Sequence, residues 1–219
     1  MKKLILQLPV FVCMSAVLNA QTNESNSAAI KFSKEQKPTA ANSKEIFTSA
    51  DFIYGSIDLG GKTVKDYFKL PSISSTNPYG YLYYIAEVYM GDELIGDNTW
   101  NFALVKEADK KKTVLNFDVL PDPPKATTVL SGTPVFDAGL ASAPLYSLLA
   151  KQYFKQSGNY TIRIRIYYRT MDAYGNEEPF EKWPTCNGSF SFNFKEEDVP
   201  LLLKNGEAAN DTAAKNAFK

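Results

Sequence analysis

Tyr160-Thr161-Ile162-Arg163-Ile164-Arg165-Ile166-Tyr167-Tyr168-Arg169-Thr170 decides the fold class. Side chains alternate across a strand, so Ile162, Ile164, Ile166 and Tyr168 share one face, and Arg163, Arg165, Tyr167 and Arg169 share the other. A row of β-branched residues on one side predicts a strand with one face in a core. The three arginines of the chain all fall on the opposite row, although lysine is plentiful elsewhere.

Working outward, Gly188–Lys195 repeats the pattern, with Phe190, Phe192 and Phe194 inward and Ser189, Ser191 and Asn193 outward. Tyr79–Met90 predicts a long aromatic strand, and Gly91-Asp92-Glu93 a hairpin turn into a partner strand from Leu94 that resumes around Trp100–Val105. Phe52–Leu59 and Thr113–Leu120 predict further strands, the second ended by Pro121, Pro123 and Pro124, because proline cannot donate to a ladder. One internal helix is expected over about 143–155, with Ser142 as its N-cap and Leu145, Leu148, Leu149 and Tyr153 as its stripe. Short strands separated by Gly and Pro turns predict an all-β fold, an antiparallel sandwich of Ig-like or C2-like shape with one short crossover helix. The Cys–Trp–Cys spacing of true immunoglobulin domains is absent.

The expected organisation is a signal peptide over 1–20, a disordered leader or tether over 21–44, a sandwich domain over 45–196 and a helix-leaning tail over 197–219. Lys2 and Lys3 precede an apolar stretch from Leu4 to Leu18, and cleavage is expected after Ala20. That stretch is shorter than the ~20 residues a bilayer helix needs, so it reads as a signal and not an anchor. Val12 before Cys13 fits a lipoprotein site poorly. Residues 21–44 are polar and aperiodic, with Ile30 and Phe32 as their only sizeable apolar side chains. The chain is therefore expected to be exported, to the periplasm or beyond the cell.

The 219 residues carry 24 basic and 24 acidic side chains. Loss of Lys2 and Lys3 with the signal leaves a slightly acidic chain, which argues against a nucleic-acid partner. After processing Cys186 alone remains, so no internal disulfide forms, and the expectation for it is a small buried hydrophobe. Histidine is absent, which removes Ser-His-Asp and Cys-His catalysis and His-ligated metals. No phosphate-binding glycine loop or nucleophile elbow occurs. No cofactor, metal or catalytic residue is implied.

Arg163, Arg165, Tyr167 and Arg169 form the first candidate surface. Guanidinium forks along a strand suit a phosphate, sulfate or sugar carboxylate, or a protein partner. The plainer expectation, and the favoured one, is a solvated sheet face with each arginine opposite an acid or tyrosine on a neighbouring strand. On it, Arg165→Ala changes stability by under about 1 kcal/mol. Tyr81, Tyr83 and Trp100 form the second candidate, an aromatic platform for sugars, although cross-strand packing also accounts for them. Trp183 is expected to plug one end of the sandwich. Asp172, Asn176, Glu177 and Glu178 offer hard oxygens for calcium, without the spacing of an EF-hand. The functional expectation is an exported, non-catalytic binding or interaction module of the bacterial envelope, its partner an envelope protein or a glycan. The alternative is a carbohydrate-binding module or a glycan hydrolase working through two carboxylates.

Overall fold

A computed structural model describes residues 28–70, 80–104, 110–127 and 144–217, with side chains over 82–99 in the second stretch. The expected signal segment, the first residues of the leader and the start of the expected internal helix lie outside them. Among the described residues there are eight strands: β1 (Ala28–Ser33), β2 (Ile46–Thr48), β3 (Ile53–Asp58), β4 (Gly80–Met90), β5 (Glu93–Leu104), β6 (Val114–Leu120), β7 (Gly158–Tyr167) and β8 (Thr185–Phe194). Among the described residues, α-helices accompany them at α1 (Val64–Phe68), α2 (Pro144–Ala150) and α3 (Val199–Ala217). The protein is predominantly β, as expected.

The strands form a curled, mixed sheet in the order β5-β4-β7-β8-β1-β3-β6, with β2 on β8 beside that path. This half-barrel replaces the purely antiparallel arrangement expected, because β1 and β2 both run parallel to β8. The curl brings Phe117 of β6 against Tyr84 of β4, ring centroids 5.5 Å apart. The inward rows of β7 and β8 meet the expectation: Ile162, Ile164, Ile166, Phe190, Phe192 and Phe194 are all buried.

Residues 28–44 are not a tether. Ala28 and Ala29 pair in parallel with Cys186 and Asn187, after which β1 leaves β8 and pairs antiparallel with β3 from Ile30 to Ser33. Ile30 and Phe32 are buried, Phe32 edge-on to Phe190 at 4.8 Å. Two apolar side chains suffice because strands on both sides supply the rest of the packing. Gly188 permits the close approach: a Cβ there would lie 2.6 Å from Ile30 Cβ.

The short mixed segment after β3 is α1, capped by the Thr63 hydroxyl, which accepts from the Asp66 N–H at 3.1 Å. Lys69 ends it in the left-handed region, at φ 53°. The C-terminal tail is helical. In α3, Leu202, Gly206, Ala209 and Ala213 are buried along one stripe, and Gly206 lies where a side chain would press on Tyr146 of α2. Among the described residues no helix is long and apolar enough to cross a membrane.

Behind the core row of β6, Asp118 is buried. Its carboxylate accepts from the Thr127 N–H at 2.7 Å and the Thr127 hydroxyl at 3.2 Å. Burial nonetheless pushes its pKa up to about 7, the two bonds opposing the rise. A carboxyl raised in the folded state holds its proton where the unfolded chain has lost it, so folding stability falls as pH rises from about 4 to about 7. Asp51 and Asp172 shift the other way, and their effect lies below that window. Asp118→Asn should therefore remove at most about 2 kcal/mol of stability difference between about pH 5 and about pH 7. Urea titrations of both proteins at the two pH values check this, and equal pH slopes would contradict it.

Candidate functional site

The outer faces of β4 and β7 carry the site. Their antiparallel register sets Tyr83 against Tyr167, Ile85 against Arg165, and Glu87 against Arg163. Paired positions across an antiparallel ladder share a face and touch, so tyrosines and charges of the two strands form one surface. On the far side of β7, β8 contributes the small polar residues Asn187 and Ser189, opposite Arg165 and Arg163.

Each arginine has partners within the chain. Arg165 forms an ion pair with Glu87 and lies over the Phe180 ring, 5.6 Å from its centroid. The pair is largely shielded, with side chains 26% and 7% exposed. Glu87 also accepts from the Tyr89 hydroxyl at 3.2 Å. Arg163 is exposed, lies 4.7 Å over the Tyr89 ring and donates to the Tyr89 hydroxyl at 3.2 Å. Burial raises the Tyr89 pKa, helped by the neighbouring Glu87 charge and opposed by Arg163. Arg169 lies beyond the end of β7, 4.3 Å over Tyr83 and 5.8 Å from Trp183, with Nε 3.6 Å from a Glu177 carboxylate oxygen. The plainer expectation thus describes the contacts, with one difference: Arg165 is not a plain surface group.

Tyr167 lies on the outer row but is buried, because aromatic rings cover it from both sides. It stacks on Tyr83 at 5.2 Å and on Trp183 at 5.4 Å, each at 12°. Trp183 therefore joins the outer aromatic row instead of plugging the sandwich end. Its indole N–H donates to the Glu178 carbonyl at 2.8 Å, which fixes the ring. Phe180 closes the cluster edge-on to Trp183, 5.2 Å away. Of the second candidate set, Tyr83 belongs to this surface. The side chains of Tyr81 and Trp100 lie outside the described residues, although their backbones pair with Ala103 and Tyr84.

The connection from β7 to β8 carries the residues considered for calcium. Asp172 accepts from the N–H groups of Tyr174 and Asn176, both at 2.8 Å, and from the Asn176 side chain at 3.2 Å. These bonds hold its pKa below the ordinary carboxylate value. Glu177 faces Arg169, and Glu178 lies 3.7 Å from Lys182. The oxygens organise a turn, and among the described residues no group of acids, cysteines or histidines has the arrangement of a metal site. The turn presents Tyr174, 90% exposed, and Met171 to solvent. Cys186 is buried, its thiol pushed up to about 12 by burial, so it is no nucleophile near neutral pH.

Glu87, Phe180 and the role of Trp183 escape a sequence reading. Glu87 sits at an outward position of an aromatic strand, a weak signal that gains meaning only once the β4–β7 register is known. The class of protein defined is a predominantly β half-barrel with an arginine–aromatic outer face. No protein-family model matches the chain, and no curated protein matches it.

Proposed function

We propose that this chain is an exported, non-catalytic interaction module of the bacterial cell envelope with an Ig-like strand arrangement. The carrying observation is the outer face of β4 and β7, where each of three arginines lies against a ring or a carboxylate and Tyr83, Tyr167 and Trp183 form one stack. Rigid aromatics and arginines bind at low entropic cost and dominate protein interfaces. The Ig-like arrangement is supported by strand order. The path β5-β4-β7-β8 follows the C′-C-F-G sheet of such sandwiches, and β1-β3-β6 follows A-B-E. On that alignment the exposed Tyr174 turn occupies the F–G loop, which variable domains use for recognition. Export is supported by Lys2, Lys3 and the apolar run after them.

The non-catalytic reading is supported by the lack of histidine and by the setting of Asp118. Among the described residues, Asp118 is the carboxyl group that burial raises, to about 7, the direction a general acid requires. The small cavity beside it is lined by Gln36, Lys37, Asn116, Phe117 and Thr127. Among the described residues no second carboxylate borders it, so the two-carboxylate hydrolase gains no support from this geometry.

A photo-crosslinking amino acid at Ser189, exposed beside Arg163, tests the proposal in the intact host. A discrete adduct with one envelope component is expected, and none from the same probe at exposed Lys155. Absence of any adduct at Ser189, or a hydrolytic turnover that depends on a specific carboxylate, would overturn it.

A further inference from the structure

Below the aromatic row, a cleft of about 410 Å³ opens between α1 and the segment leading into β8. That volume suits a ligand of one or two sugar rings. Trp183 and Tyr67 form its aromatic walls, and both are fixed. Trp183 is stacked on Tyr167 and tied to the Glu178 carbonyl. Tyr67 donates to the Thr185 carbonyl at 2.9 Å and accepts from the Ala28 N–H at 2.7 Å. Lys62 and Lys69 border the cleft, both exposed, and neither forms an ion pair with a described residue. Lys69 is held by the left-handed cap of α1. The third lysine there, Lys182, faces Glu178, and Asp66 accepts from the Thr63 hydroxyl at 2.6 Å. Glu181 lacks an ion-pair partner among the described residues.

We infer that this cleft binds an acidic sugar, of the uronate class. The carboxylate would sit between Lys62 and Lys69, as paired cations favour. The apolar face of the ring would lie against Trp183, and hydroxyl groups would donate to Asp66 and Glu181. A neutral sugar would leave both lysines without a partner, and a simple anion would leave the aromatic wall and the acids without one. The inference rests on the binding-module reading in requiring capture without turnover, but it uses residues that the Ser189 crosslink does not probe.

Calorimetric titration of the full chain with digalacturonic acid, and with galactobiose as its neutral counterpart, tests it. Digalacturonic acid should bind with Kd below ~1 mM, weaken as salt is raised, and exceed galactobiose at least about tenfold, a difference of ~1.4 kcal/mol. Lys62→Gln with Lys69→Asn should weaken it at least as much, Asn being tolerated in the left-handed region, whereas Lys151→Gln, on an exposed residue beyond α2, should not. The variants alter exposed side chains, and an unchanged melting temperature establishes that they fold. No binding, equal binding of the neutral sugar, or indifference to the two lysines would overturn the inference. A Ser189 adduct persisting alongside any of these failures would leave the interaction-module proposal standing and remove only the ligand class.

Discussion

Ile164→Ala should cost about 3–5 kcal/mol of folding stability, the upper part of the range for core truncations. Ile164 is fully buried at the centre of β7, and its neighbours in register are Ala86 on β4 and Gly188 on β8. Neither has atoms to spare for the void, and the space beside Gly188 is already filled by Ile30 and Phe32. The cost of a truncation grows with the cavity that cannot collapse, so this position should sit well above an average core site. Arg163→Ala, one residue away on the exposed row, should change stability by under about 1 kcal/mol. Urea unfolding of both variants measures the contrast. Comparable losses would mean that the two faces of β7 are wrongly assigned.

Arg165→Ala should cost about 2–4 kcal/mol, although it too lies on the outer row. The sequence alone leads to under about 1 kcal/mol, and the structure changes the expectation through Glu87. That carboxylate is 7% exposed and has Arg165 as its cationic partner. Removing the arginine strands a shielded charge with the Tyr89 hydroxyl for support. Breaking such a pair from one side is far costlier than replacing both members. Arg165→Met with Glu87→Gln should therefore recover most of the loss. A double-mutant cycle reads the coupling directly, and strictly additive losses would show that the pair is not a unit.

The legible part of the fold was whatever alternation encodes. The Ile and Phe rows of β7 and β8 name their own buried face, and Gly91 and the prolines after Leu120 mark element ends. Alternation does not encode pairing partners. Nothing around Ile30 and Phe32 announces that β1 lies between β8 and β3, since its burial comes from two other strands, one of them at Cys186 and Asn187. The site was legible to the same depth. The outward row Arg163, Arg165, Tyr167 and Arg169 was readable, but an outward position need not be exposed: Tyr167 is covered by Tyr83 and Trp183, and Arg165 by Glu87 and Phe180. Each of these covers arrives from another element, through a register or a loop path that local sequence does not carry.

The two-way pairing of β1 also bears on when the molecule can fold. Its first two residues join Cys186 and Asn187, far along the chain, so the sheet cannot close until β8 has been made. Contacts between such distant segments form slowly, because a long loop must be ordered before they repay it. A chain emerging from the ribosome with its β8 segment still unmade can set Ile30–Ser33 against β3, but it has no partner for Ala28 and Ala29 and cannot join the two halves of the sheet. For a polypeptide that we propose is threaded across a membrane, this delay is useful: the topology itself keeps the translocating chain open and postpones the native state to the far side.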